Sequence, residues 1–306
     1  RKHPDVHFYT PEGAQGYLIE QIREIVSGVS LAPIRATGKV YILDRVDLLG
    51  ISAANAFLKT LEEPVEGVTF ILLGRTREAV LLLLFSRCQV VPFRHIPARE
   101  AAGILSQKTG VTPEQARIAI EACNGSITRA MTFAKSAERA EFRARIMEVL
   151  SNLPLSDERD VLEYAAELIE RAKAPLDNVR TQQSEELAES ADFLTKTALK
   201  QIELRHKRAL SMATRESLNQ TTSIIRSWLR DVLMIASGTP DLVVNIDQRE
   251  VLQRVAQKVT PASIMSALRE AYKTDETLSY NVSPETCLDV LLFSIREVLN
   301  GSGNPH

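Results

Sequence analysis

The chain has 306 residues, with 37 basic and 39 acidic side chains and a formal net charge of −2. This near balance excludes a protein that is drawn to nucleic acid by its overall field, so any DNA contact must come from a local patch or a neighbouring subunit. No run approaches the ~20 apolar residues of a membrane helix, and no signal segment opens the chain. We expect a cytoplasmic protein of more than one domain, without membrane contact.

The three cysteines and five histidines are scattered along the chain. Their spacing fits neither a disulfide framework nor paired zinc ligands. We therefore expect free thiols and no metal site.

The first ninety-odd residues have an α/β pattern. A helix is predicted over Tyr17–Ser27, after a short strand at His7–Tyr9. Near-continuous apolar runs predict further strands at Lys39–Leu43, Thr69–Leu73 and Gln89–Phe93. Runs of this kind are typical of parallel strands covered by helices on both faces.

After Pro97 helical periodicity replaces the strand pattern. Thr112 followed by Pro113 and Gln115 predicts a capped helix start, and Asn124–Ser126 predicts the end of that helix and the start of another. The same start signal recurs at Thr260 and Ser283, each followed by proline. The pattern predicts an α/β domain over residues 1–95, a three-helix domain over 96–137 and a helical bundle over 138–306.

The end of the strand at Lys39–Leu43 resembles part of an ATPase site. A P-loop ATPase needs a glycine-rich phosphate loop, a strand-end aspartate for Mg²⁺ and an acid that orients water. Asp44 follows the strand, but Arg45 stands where the acid is needed, and Gly38 with Lys39 is only a fragment of a phosphate loop. A strand-end aspartate by itself is most often a turn former. We expect no bound ATP and no intrinsic enzymatic activity.

The tripeptide Ser86-Arg87-Cys88 follows the sequence Leu-Lys-Thr-Leu-Glu-Glu-Pro at residues 58–64. With Asp44 and its strand, this order resembles bacterial clamp-loader subunits of the AAA+ class, in particular the delta-prime type of DNA polymerase III. The resemblance implies a partial AAA+ parallel-sheet domain, a three-helix lid and a helical collar that joins a hetero-oligomer. It also implies that a phosphate-loop segment and a four-cysteine zinc module are missing from the amino end.

The resemblance assigns roles to several residues. Arg87 corresponds to an arginine finger that acts on the ATP of a neighbouring subunit, with Ser86 and Cys88 as motif neighbours. The nucleotide-facing positions, which we expect to be non-functional, are a degenerate Walker B aspartate at Asp44, the first sensor at Thr76 and the second sensor at Arg129. Arg129 also fits an ordinary arginine on a helix surface, and Cys88 fits a packed thiol.

Asn55 and Lys59 lie four residues apart on a predicted helix and so share one face. In clamp loaders this helix lines the inside of the subunit spiral, which makes both residues candidates for DNA contact. A solvated lysine without a ligand is the alternative for Lys59.

The resemblance predicts a non-hydrolysing subunit of the DNA polymerase III clamp loader, which supports ATP-dependent loading of the sliding clamp onto primed DNA during replication. Its partners would be gamma/tau and delta subunits, the clamp, and DNA through the assembled complex; ATP and Mg²⁺ would be bound by neighbouring subunits. Two alternatives stay open. One is an active gamma/tau-type ATPase, which Arg45 disfavours; the other is a helical scaffold protein that retains a degenerate ATPase half-domain.

Overall fold

The computed structural model describes residues 3–13, 16–75, 77–176, 180–181, 183–184, 187, 196–278 and 282–301. It divides into two compact units, Arg1–Arg94 and His95–His306. Among the described helices, none combines the length and the apolar character that crossing a membrane requires.

The first unit alternates strands and helices. Its elements are β1 (Val6–Tyr9), α1 (Ile19–Val29), β2 (Lys39–Leu43), α2 (Ile51–Glu62), β3 (Val68–Leu72) and α3 (Leu82–Phe85). The strands form one parallel sheet in the order β1-β2-β3. Three of the four predicted strands are confirmed, and the predicted first helix begins and ends two residues later than expected.

One face of this sheet is covered by α1 and α2. Tyr41 and Leu43 of β2 are buried against Ile22 of α1 and Phe57 of α2. The ring of Phe57 meets that of Phe70 edge to face, with centroids 5.2 Å apart. Both helices lie on the same face because each right-handed crossover moves one strand further in the same direction.

The opposite face is exposed, so the prediction of helices on both faces is wrong for the described residues 3–94. Phe8, Ile42 and Ile71 lie side by side in the register of the three strands. Phe8 is 57% exposed and Ile71 is 41% exposed. The crossovers place α1 and α2 on one side of the sheet. No described helix of the first unit therefore covers this apolar face.

The predicted fourth strand at Gln89–Phe93 is also wrong. Residues 89–97 have no regular structure and do not join the sheet. Val91 is 64% exposed and Phe93 is 91% exposed. A strand needs hydrogen bonds to a neighbour, and Pro92 has no N–H to donate to one. β-propensity alone therefore does not make this segment a strand.

The regular structure described for the second unit is helical. Its α-helices are α4 (Ala98–Thr109), α5 (Pro113–Ala122), α6 (Ile127–Lys135), α7 (Ala137–Asn152), α8 (Glu158–Lys173), α9 (Lys196–Ala236), α10 (Arg249–Ala256), α11 (Pro261–Thr277) and α12 (Pro284–Leu299). The predicted starts are confirmed. Thr112 and Gln115 form a capping box, Thr260 caps α11, and the side chains of Ser126 and Ser283 cap α6 and α12.

A single apolar cluster joins these helices. It includes Leu105 of α4, Ile120 of α5, Ile146 of α7, Trp228 of α9 and Leu291 of α12. Trp228, the single tryptophan, is fully buried in this core. Helices α4–α6 and α7–α12 thus share one core, and their division into a lid over 96–137 and a collar over 138–306 stays a prediction.

A buried polar network fixes the segment between α9 and α10. The carboxylate of Asp231 is fully buried and accepts hydrogen bonds from the backbone N–H groups of Val244 (3.0 Å) and Asn245 (2.7 Å). Asn245 Nδ2 adds a third at 2.8 Å. Arg143 donates to the Asn245 side chain at 2.7 Å and to both carboxylate oxygens of Asp247. Such a network is stabilising only because its polar groups are paired.

Candidate functional site

Asp44 lies where β2 ends, and its carboxylate serves the turn that follows. Asp44 Oδ1 accepts the backbone N–H of Arg45 at 3.0 Å. Arg45 has a φ of 56°, in the left-handed region that residues with a side chain seldom adopt. The hydroxyl of Tyr17 donates to the carbonyl oxygen of Asp44 at 2.6 Å and lies 3.1 Å from the carbonyl oxygen of Tyr9. These contacts hold the turn in place, in agreement with Asp44 as a turn former.

The guanidinium of Arg45 is paired with Asp47, a residue that the sequence did not single out. Arg45 Nε lies 3.0 Å and Nη2 2.9 Å from Asp47 Oδ2. The backbone N–H of Arg75 lies 3.4 Å from Asp47 Oδ1. Burial raises the pKa of Asp47, but hydrogen bonds and the charge of Arg45 outweigh burial and hold it below the ordinary value. A carboxylate held ionised in this way is a poor general base at neutral pH.

The structure describes one of the two predicted sensor positions, Arg129. Thr76 lies outside the described residues. Arg129 lies in the first turn of α6; its Nη2 donates to the Cys123 carbonyl oxygen at 3.2 Å, and its Nη1 lies 3.7 Å from Glu216. These contacts engage the guanidinium within its own unit, which favours the alternative of a structural arginine.

Arg129 also lines a cavity of about 220 Å³ in the second unit. Cys123 faces the same cavity, and its Sγ accepts a hydrogen bond from Gln220 at 3.5 Å. Burial raises the pKa of Cys123 to about 11, so the thiol is protonated at neutral pH and is a weak nucleophile.

Arg87 lies on the turn that follows α3. Its Nε donates to Glu62 Oε1 at 2.6 Å, and its Nη2 forms an ion pair with the same carboxylate. Its Nη1 donates to the Leu83 carbonyl oxygen at 2.9 Å and to Ser86 Oγ at 2.7 Å. The side chain is 26% exposed. The predicted finger is therefore at the surface and held in one orientation by its own chain.

The neighbours of Arg87 differ in their surroundings. Ser86 Oγ donates to the Leu83 carbonyl oxygen at 3.2 Å while it accepts from Arg87. Cys88 is half-buried, and burial raises the pKa of its thiol. A protonated, packed thiol fits the expectation that Cys88 contributes packing.

Asn55 and Lys59 lie on the exposed side of α2, opposite Ala54 and Phe57. They share a helix face, as their spacing predicts. No described group of three or more histidine, cysteine, aspartate or glutamate side chains is arranged to hold a metal ion.

Two family models match the chain. The model for "DNA polymerase III, delta subunit" matches residues 1–97, and the model for "DNA polymerase III, delta subunit, C terminal" matches residues 184–296. Residues 1–97 and 184–296 are thus each similar to the DNA polymerase III delta-subunit family. Both the α/β unit and a large part of the helical unit, including all of α9, thus correspond to this family.

Relatives with curated names come from the same replication machinery. DNA polymerase III subunit tau of Bacillus subtilis is 42% identical over 89 residues, which cover 29% of this chain and 16% of the relative. Subunit delta' of the same organism is 29% identical over 147 residues, which cover 48% of this chain and 44% of the relative. Subunit delta' of Haemophilus influenzae is 35% identical over 88 residues, which cover 29% of this chain and 27% of the relative. The matches span less than half of each relative, and they support the clamp-loader subunit family of DNA polymerase III.

Proposed function

We propose that the chain is a non-hydrolysing clamp-loader subunit that supports ATP-dependent loading of a sliding clamp onto primed DNA. The observation that carries the proposal is the Ser86-Arg87-Cys88 turn, which holds an arginine at the surface of the α/β unit. Relatives named as tau, gamma and delta' subunits of DNA polymerase III support a role within that complex.

The surroundings of Asp44 support the absence of hydrolysis by this chain. Asp44 accepts a backbone hydrogen bond in its own turn, and Arg45 takes the position at which an acid would orient water. The nearest acid in the turn, Asp47, is ion-paired with Arg45 and has a lowered pKa. A general base works best when its pKa lies near the operating pH, and Asp47 does not meet that condition.

Arg87 would act on ATP bound by a neighbouring gamma/tau-type subunit. Negative charge spreads over the phosphoryl oxygens during transfer, and an arginine supplied in trans stabilises that charge. A planar guanidinium with several N–H donors suits this role better than a lysine ammonium. ATP and Mg²⁺ would belong to the neighbour, while this chain supplies the cation.

The proposed partners are gamma/tau and delta subunits, the sliding clamp, and primed DNA through the assembled complex. Asn55 and Lys59 are proposed DNA contacts because both are exposed on one face of α2. A lysine on such a face can neutralise a backbone phosphate without reading the sequence.

The test is Arg87→Ala in a clamp-loader complex reconstituted with the other subunits. Assembly should be intact, and hydrolysis stimulated by primed DNA and clamp should fall. Loss of an arginine finger costs ~10³-fold or more at one site, and the remaining sites of the complex reduce the observed change. Arg87→Lys should not restore the rate. Arg94→Ala, at another exposed arginine, is the matched control.

Three outcomes would contradict the proposal. Wild-type hydrolysis and clamp loading by the Arg87→Ala complex would show that the turn is not a finger. Hydrolysis of ATP by the isolated chain would favour an active gamma/tau-type ATPase. Failure to form a stoichiometric complex with clamp-loader subunits would favour a helical scaffold protein.

A further inference from the structure

The guanidinium of Arg87 is engaged by its own chain through four of its five N–H groups: one at Nε, one at Nη2 and two at Nη1. The Glu62 carboxylate accepts the N–H groups of Nε and Nη2. The Leu83 carbonyl oxygen and Ser86 Oγ accept the two N–H groups of Nη1. Within the part of the chain that the structure describes, one N–H of Nη2 is left for another acceptor. The side chain thus has a defined orientation within the single chain.

Glu62 is the acceptor that sets this orientation relative to the rest of the α/β unit. Leu83 and Ser86 belong to the same turn as Arg87 and move with it. Glu62 is the last residue of α2 and lies 25 positions before Arg87. Its carboxylate therefore ties the guanidinium to a second, separate helix.

The exposure of the pair indicates that this contact orients Arg87 without locking it. The Glu62 side chain is 47% exposed and that of Arg87 is 26% exposed. Ion pairs in contact with water are weak, so a phosphate group can replace part of the contact. Ordering a long side chain in advance reduces the entropy that must be lost when it meets its target.

We infer that Glu62 is the positioning residue of Arg87: its carboxylate holds the guanidinium in the orientation from which it reaches the phosphate of a neighbouring subunit. This inference rests on the proposed function of Arg87. Glu62 itself touches no reacting atom in this arrangement, and its effect passes through Arg87.

The test compares Glu62→Ala, Glu62→Gln and Glu62→Ala/Arg87→Ala in the reconstituted complex. Glu62→Ala should lower kcat for DNA-stimulated hydrolysis roughly two- to fivefold, the range expected for an exposed ion pair. The KM for ATP and the assembly of the complex should not change. Glu62→Gln retains one acceptor oxygen and should recover part of the loss. In the Arg87→Ala background, Glu62→Ala should have no further effect.

Glu63→Gln is the matched control, because this exposed carboxylate adjoins Glu62 and should leave kcat unchanged. The inference is overturned by an unchanged or raised kcat in Glu62→Ala, or by a further loss in the Arg87→Ala background. It is also overturned if Glu63→Gln gives the same loss. A complex that does not respond to Arg87→Ala overturns the proposed function itself, whereas a response to Arg87→Ala without one to Glu62→Ala overturns only the positioning role.

Discussion

The two compact units bury their apolar residues in different ways. In the first, Tyr41 and Leu43 are buried under two helices, while Phe8 and Ile71 on the other face of the same sheet are exposed. In the second, helices from α4 to α12 share one continuous core. The first unit thus carries more sheet-forming apolar residues than it buries by itself, whereas the second is closed by its own helices.

One charged contact from each unit extends the comparison. The Arg87–Glu62 pair of the first unit is partly exposed and lies on the surface. Asp231 of the second unit is fully buried and is satisfied by backbone and side-chain donors. Exposed pairs contribute little to stability and exchange partners readily, whereas a buried charge must keep its partners. The comparison teaches that the candidate functional cation belongs to a partly exposed pair, whose loss costs little stability.

The largest effect is expected from Asp231→Ala in the second unit. Removing this carboxylate leaves the backbone N–H groups of Val244 and Asn245 without their acceptor. It also removes one of the two acceptors of Asn245 Nδ2, which still donates to Ser227 Oγ. We expect the free energy of unfolding to fall by about 3–5 kcal/mol, the cost of breaking a buried charged network. Urea unfolding followed by the fluorescence of Trp228, the single tryptophan, measures it, because Trp228 is buried in this unit.

Asp241→Ala is the control for that measurement. Asp241 is exposed and follows α9 by a few residues. A surface substitution of this kind should change the free energy of unfolding by less than about 0.5 kcal/mol. Equal, small effects of the two substitutions would contradict the stabilising role of the buried network in the second unit.

A matched pair of substitutions tests the two faces of the sheet. Phe57 is fully buried on the covered side, and Phe8 is 57% exposed on the other. Phe57→Ala should cost about 3–5 kcal/mol, and Phe8→Ala less than about 0.5 kcal/mol. Hydrogen exchange of the β2 backbone in each variant measures the difference locally. Similar losses of protection would mean that the second face is buried in the free chain.

Local signals predicted local structure well. The caps at Thr112 and Thr260 were located to the residue, because a cap depends on side chains within one turn. The strand expected at Gln89–Phe93 and the second helical layer were wrong, because both depend on a neighbour elsewhere in the fold. An apolar run indicates what a segment is able to bury, and the topology decides what it does bury.

In the candidate site, too, the sequence predicted local features but not contacts between distant residues. Arg87 was found from a short motif, but its partner Glu62 was not, since their contact joins residues 25 positions apart. Asp47 was missed because its contact with Arg45 requires the left-handed turn after β2. Neither pairing has a period or spacing that a sequence reveals.

The smallest expected effect concerns Asp47 and its dependence on pH. The pKa of Asp47 is lowered in the folded chain, below the ordinary aspartate value of about 3.9. A lowered pKa means that the ionised form stabilises the fold at pH values above about 4, and this contribution is lost as pH falls through the folded pKa. Asp47→Asn should therefore cost about 1 kcal/mol at neutral pH, and the difference from wild type should shrink below about pH 4.

Hydrogen exchange of β2 and β3 at neutral and acidic pH measures this change, while Trp228 fluorescence serves as the internal control. The Arg45–Asp47 pair lies in the first unit, so the unfolding transition reported by Trp228 should be the same in Asp47→Asn and wild type. A difference that is constant with pH would show that the side chain acts by shape and not by charge. A shift of the Trp228 transition would show instead that the turn after β2 contributes to the stability of the helical unit.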